Sequence, residues 1–197
     1  NENDEDAVKL RKAMNGLGTK EDVIIEIITR NSNSERQILR KRYNELYKKD
    51  LINDLDSELS GDFKEVILSL MMPPVEFDAY SLNKAMKGLG TNEAALISII
   101  CSKSAAEMND IKKCYKNAYK VDLEAAIKSE TSGDFKALLV DLVNGKKESS
   151  MKVDLKKAED NAKTLHEKPS AAIANEIFKG SLVQIIATAD VYSQTYG

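Results

Sequence analysis

Met14-Asn15-Gly16-Leu17-Gly18-Thr19 recurs as Met86-Lys87-Gly88-Leu89-Gly90-Thr91, 72 positions further along the chain. The same offset carries Asp6-Ala7 onto Asp78-Ala79, and Ser60-Gly61-Asp62-Phe63-Lys64 onto Ser132-Gly133-Asp134-Phe135-Lys136. Chance does not hold one ungapped register across so many positions. Residues from about 5 to 72 and from about 77 to 144 are therefore two copies of one structural unit. Pro73-Pro74 stands between them, where neither residue suits a helix interior.

Apolar spacings of three and four dominate each copy, and no stretch alternates cleanly at period two, so the fold class is all-α. The first copy divides into five helices. Val8, Leu10, Ala13 and Met14 mark the first, which breaks at Gly16 and Gly18; Val23, Ile24, Ile27 and Ile28 mark the second. Ile38, Leu39, Tyr43, Leu46 and Tyr47 mark the third, and Leu51, Ile52 and Leu55 the fourth. Phe63, Val66, Ile67, Leu70 and Met71 mark the fifth. Thr19 with Asp22, and Ser34 with Gln37, have the shape of helix-start signals. The charged stretch 146–153 reads as a linker into a third, incomplete unit over 154–197. That unit has a first helix through Leu155, Ala158, Ala162 and Leu165, and a segment Leu182–Thr188 that resembles the second helix of the other copies. The expected organisation is 1–74, 75–145, linker 146–153, and 154–197, with the chain ending inside the third unit as a fragment of a longer protein would.

The chain has 197 residues, 29 basic and 32 acidic, for a formal charge of −3. Such a chain has no long-range electrostatic reason to seek nucleic acid, and it meets an anionic surface only if something positive sits between them. Cys101 and Cys114 fall at apolar helix positions and read as small core residues. No window approaches the ~18 apolar residues of a membrane span, and the acidic first residues are unlike a secretory signal, which makes the cytoplasm the default location. His166 has no ligand cluster, and no nucleophile motif or phosphate-binding glycine fingerprint occurs, so no enzyme activity is expected. The basic run Arg36, Arg40, Lys41, Arg42, Lys48 and Lys49 reads as a solvated helix face. Tyr43, Tyr47, Tyr115 and Tyr119 read as core packing.

A tight interhelical turn explains paired glycines by itself. An acid at fixed distance adds a second signal: Glu58 follows Met14 by 44 residues and Glu130 follows Met86 by 44, each in a short polar loop before the fifth helix. Ca²⁺ takes roughly six to eight hard oxygens in flexible geometry, which backbone carbonyls of a glycine turn and a bidentate carboxylate can supply. Mg²⁺ wants a tighter octahedron, Zn²⁺ wants nitrogen and sulfur, and no EF-hand loop is present.

With these motifs in place, the chain resembles the annexin core repeat over about residues 5–145. The resemblance implies five helices per repeat and reversible, Ca²⁺-dependent binding to anionic phospholipid membranes. It implies principal Ca²⁺ sites at Met14, Gly16, Gly18 and Glu58, and at Met86, Gly88, Gly90 and Glu130. Weaker accessory sites are implied at Thr19 with Glu21 and at Thr91 with Glu93. The third unit lacks Gly-x-Gly at the matching stretch 165–180, so no principal site is expected there. A Ca²⁺-independent scaffold for cytoskeletal or other protein partners is the alternative.

Overall fold

The computed structural model describes residues 2–197, which form thirteen helices with no strand among them. The chain falls into two compact units, one running to Phe77 and the other from Asp78 to Gly197.

In the first unit the helices are α1 (Glu2–Met14), α2 (Glu21–Arg30), α3 (Asn33–Tyr47), α4 (Leu51–Glu58) and α5 (Gly61–Met71). Helix α1 packs on both α2 and α3, while α5 closes on α2 and α4. The core is built from Leu10, Ile24, Ile27, Ile28, Leu39, Leu51, Leu55, Ile67 and Leu68, all buried. Burial of each such side chain contributes roughly 1.5–3 kcal/mol before the entropy of ordering is subtracted. Ile38, Leu46 and Val66 repeat at helical spacing yet stand half exposed, so the apolar stripe of α3 and α5 is narrower than the sequence pattern.

Helix α3 starts at Ser32 rather than at Ser34. The Ser32 side chain accepts from the Glu35 N–H while the Glu35 carboxylate accepts from the Ser32 N–H at 2.7 Å, a reciprocal capping box. The hydroxyl–carboxylate bond holds in the same place 72 positions later, between Ser104 and Glu107. Thr19 caps nothing: α2 is preceded by Lys20, with no side-chain cap.

The basic run of α3 is not a solvated face. Arg36 is buried and donates to the main-chain carbonyls of Leu70, Ile28 and Asn31. Arg40 makes a two-pronged pair with Asp50 at 2.9 and 2.7 Å and reaches Glu76 at 2.8 Å, and Arg42 pairs with Asp4 at 2.7 Å. These guanidiniums hold the ends of other helices, and the planar fork of arginine suits that work where lysine would not. Lys41, Lys48 and Lys49 are the members of the run that stay exposed.

Tyr43 is fully buried and packs on Tyr47 at a centroid distance of 4.9 Å. Its hydroxyl donates to Asp54 at 2.6 Å, and burial together with that carboxylate pushes the phenol up to about 12. Tyr115 and Tyr119 repeat the ring pair at 4.8 Å in the second unit.

The second repeat runs through α6 (Pro74–Met86), α7 (Glu93–Cys101), α8 (Ala105–Tyr119), α9 (Leu123–Glu130) and α10 (Gly133–Val143). Pro74 opens α6, the position where its missing N–H costs nothing. Cys101 is buried and Cys114 partly so, and neither is in a disulfide.

The last segment holds three helices: α11 (Leu155–Glu167), α12 (Ala171–Phe178) and α13 (Leu182–Tyr196). Helix α13 lies along α11 as α3 lies along α1, and the short α12 occupies the second position, against α10. The segment Leu182–Thr188 is thus the start of a third helix, not a second. Its apolar run imitates α7 because both are packed helices; its packing along α11 marks it as the third, and Ser181 caps it by accepting from the Gln184 N–H.

Candidate functional site

Each glycine turn joins the first helix of a repeat to its second. Fourfold positive φ angles shape the two turns: 130° at Gly16, 85° at Gly18, 106° at Gly88 and 86° at Gly90. Residues with a Cβ avoid this region, which is why the turn needs glycine. Each turn is shut by one long-reaching main-chain bond, Lys20 N–H to the Ala13 carbonyl at 3.0 Å and Asn92 N–H to the Ala85 carbonyl at 2.8 Å. Between those closures Leu17 and Leu89 project fully into solvent.

Met14 and Met86 bury their side chains in the core, so only their main chain can serve the turn. Among the described residues, no hydrogen bond ends on the carbonyl oxygens of Met14, Gly16, Gly18, Met86, Gly88 or Gly90. An ideal Cβ at any of the four glycines would meet nothing within 4 Å, so the space above each turn is open. Unpaired neutral oxygens beside open space fit a hard cation and not a thiophilic one.

Glu130 is the last residue of α9, and the Thr91 hydroxyl donates to its carbonyl at 3.0 Å and reaches its carboxylate at 3.5 Å. The second glycine turn and its distal acid therefore touch. In the first repeat Glu58 likewise ends α4 and is exposed, but no hydrogen bond joins it to the 14–19 turn among the described residues. The accessory positions also differ between the repeats. The Thr91 carbonyl accepts the Glu93 N–H at 3.1 Å, and Thr19 and Glu21 make no such bond. No group of three or more His, Cys, Asp or Glu side chains that could hold a metal ion occurs among the described residues.

The Thr91 hydroxyl makes a tie beyond the accessory pairing of Thr91 with Glu93 that the resemblance implies. The motif contained the signal: a hydroxyl at the turn's end and an acid 39 positions later. His166 stacks on Tyr196 at 4.0 Å with Tyr192 edge-on.

A family model described as Annexin matches residues 5–70 and 77–142. The chain belongs to the annexin family. Human annexin A7 is 39% identical over 196 residues, covering 96% of this chain and 40% of the relative. Human annexin A3 is 44% identical over 161 residues, covering 82% and 50%. Among solved structures, annexin III superposes with a TM-score of 0.77 at 38% identity, covering 98% of this chain and 62% of that one. Chicken annexin V gives 0.76 at 35% identity, covering 99% and 64%. A calcium-bound annexin (Sm)1 gives 0.68 at 32% identity, covering 99% and 62%. This annexin chain spans about half the length of the curated relatives it matches.

Proposed function

We propose that this annexin chain binds Ca²⁺ at its two glycine turns and thereby docks peripherally on anionic phospholipid membranes from the cytoplasm. The observation that carries the reading is the contact between Thr91 and Glu130, which sets an acid against a turn whose carbonyls are unpaired. The residues that would hold the ions are Met14, Gly16, Gly18 and Glu58 in one repeat and Met86, Gly88, Gly90 and Glu130 in the other. Thr19 with Glu21 and Thr91 with Glu93 would form weaker accessory sites. Bound there, Ca²⁺ supplies positive charge and coordination positions open to lipid phosphoryl oxygens.

The remaining parts of the mechanism belong to the chain. Without cations the net charge of −3 gives no attraction to an anionic bilayer. Leu17 and Leu89, fully exposed at the turn tips, are placed to enter the boundary between headgroups and acyl chains. No helix among the described residues is long and apolar enough to cross a membrane, so the association is at the surface. Two sites in one chain raise avidity over either alone. The family is non-enzymatic, and no catalytic role is proposed.

Co-sedimentation with phosphatidylserine vesicles tests the reading. Pelleting is expected with Ca²⁺ and not with excess chelator, and Glu58→Ala with Glu130→Ala together should abolish it at unchanged helicity. Equal pelleting under both conditions removes the mechanism. A calorimetric titration that shows no Ca²⁺ uptake would leave the scaffold alternative.

A further inference from the structure

The sequence holds two Asn-Gly dipeptides, Asn15-Gly16 in the first glycine turn and Asn144-Gly145 at the end of α10. An asparagine followed by glycine can modify itself. The glycine main-chain nitrogen attacks the asparagine side-chain carbonyl carbon, ammonia leaves, and a five-membered succinimide forms. Water then opens the ring at either carbonyl. Opening at the side-chain carbonyl gives aspartate; opening at the main-chain carbonyl gives isoaspartate, whose backbone runs through the former side chain. Water enters, ammonia departs, and nothing is oxidised or reduced. Glycine favours the attack because no Cβ shields its nitrogen or narrows its dihedral choice. The reaction still needs a side-chain amide free to swing and a main-chain N–H free to lose its proton.

The fold treats the two dipeptides oppositely. The Asn144 side-chain amide donates to the Glu124 carboxylate at 3.0 Å, and its oxygen accepts from the Lys112 ammonium at 3.2 Å. The Gly145 N–H donates to the Leu142 carbonyl at 3.0 Å. A Cβ placed on Gly145 would lie 3.3 Å from the Ala105 Cβ, so this glycine is packed as well as bonded. Asn15 and Gly16, in contrast, are both exposed. The Asn15 N–H donates to the Arg11 carbonyl at 3.1 Å, but among the described residues neither the Asn15 side-chain amide nor the Gly16 N–H has a hydrogen-bond partner. Gly16 has a φ of 130°, and a Cβ there would meet nothing within 4 Å. Both reacting groups are thus unheld at 15–16 and tied at 144–145.

We infer that Asn15-Gly16 is a self-modifying site where the chain deamidates through a succinimide, and that the isoaspartyl product switches off the first glycine turn. The second half rests on the calcium reading. Isoaspartate inserts one extra carbon into the main chain between Met14 and Gly16, two residues whose carbonyls that reading assigns to the ion. The added bond is about 1.5 Å long, several times the spread of Ca²⁺–oxygen distances at about 2.3–2.6 Å, so the two carbonyls no longer converge. The second repeat is exempt, because Lys87 stands where the first has Asn15. The chain ages from two calcium turns to one.

The test incubates the full chain in chelator at mildly alkaline pH, where the main-chain nitrogen loses its proton more readily, and samples it over time. Peptide mapping by mass spectrometry locates each replacement of NH₂ by OH. A protein isoaspartyl methyltransferase with labelled S-adenosylmethionine counts the isoaspartate. Conversion is expected at Asn15 with Asn144 intact. It should be absent at that position in Asn15→Lys, which carries the residue of the second repeat and so keeps the turn. Conversion at Asn144 as fast as at Asn15, or none at Asn15, overturns the site. Calorimetry then compares the fresh and the converted chain. Ca²⁺ uptake by the first repeat should weaken by roughly tenfold or more, with the second repeat unchanged. Asn15→Asp adds the charge without the extra carbon and should keep both. Unchanged uptake in the converted chain overturns the switch. A fresh chain that takes up no Ca²⁺ removes the switch together with the calcium reading, while the mass change at Asn15 stands by itself.

Discussion

Thr91 bonds Glu130 across 39 residues, hydroxyl to carbonyl at 3.0 Å, and so fastens the end of α9 to the glycine turn that opens α7. Thr91→Val removes this tie and keeps the side chain's shape. A net loss of about 1 kcal/mol is expected for one hydrogen bond, equivalent to about fivefold weaker Ca²⁺ uptake in the second repeat. Calorimetric titration should show the first repeat unaffected, and identical binding at both sites would mean the tie does not position the acid.

Gly88→Ala isolates the dihedral requirement. The new Cβ meets no atom within 4 Å, so any cost comes from φ at 106° and not from crowding. A penalty of about 1–2 kcal/mol is expected, seen as a lower urea midpoint. If the turn rearranges instead, stability is retained and Ca²⁺ uptake at that repeat falls.

Arg36→Ala should be among the most damaging changes to the first unit. It leaves the carbonyls of Leu70, Ile28 and Asn31 without their shared donor and opens a hole at a buried position. A loss on the order of 3 kcal/mol is expected, against under about 0.5 kcal/mol for the exposed Lys41→Ala. Denaturant melts of the two variants make the comparison, and equal losses would contradict the buried role.

Asp50 gives the first unit an acid-sensitive clasp. Burial pushes its carboxyl up, but the paired Arg40 guanidinium and the Ile52 N–H outweigh this and hold it below the ordinary 3.8. The folded state thus binds the proton less readily than the unfolded chain. The resulting stability is present above 3.8 and is lost as pH falls through the lowered value. Asp50→Asn should lower stability near neutrality and make its decline through that acid range shallower, measured as urea midpoint against pH.

Lys147 is shifted downward like Asp50, but for an amine that shift is a cost at neutral pH and not a gain. Its pKa lies below 10.5 in the fold, so the unfolded chain holds the proton more readily and stability rises with pH up to that value. Lys147→Met removes an orphaned buried amine and should stabilise the chain by on the order of 1 kcal/mol, or about 2–4 °C in melting temperature. A lower melting temperature would mean the amine has a partner in solution.

Much of the architecture was legible along the chain because it is written in periodicity and repetition. The 72-residue offset, the helical spacing of Ile24, Ile27 and Ile28, and the glycines at 16, 18, 88 and 90 are local facts that hold whatever the rest of the chain does. The reading failed where a local pattern had two solutions. Leu182-Val183-Gln184-Ile185-Ile186 suits a second or a third helix equally well, and only its packing along α11 decides. Ser34 with Gln37 has the shape of a helix start, but the hydrogen bonds cap α3 at Ser32 with Glu35 instead. The arginines of α3 looked solvated because charge alone does not tell which carbonyls and acids lie across a helix interface.

The sequence by itself determined the helical class, the two repeats, the family resemblance and the residue types able to offer hard oxygen, since each depends on neighbours a few positions apart or on exact repetition. Only the tertiary structure decided that Thr91 reaches Glu130, that Arg36 is buried, and that the Lys147 Nζ is buried without a hydrogen-bond partner. Those relationships depend on distances between helices, and an ionic or hydrogen-bonded contact loses its meaning within a few ångströms, a precision that one-dimensional spacing does not carry.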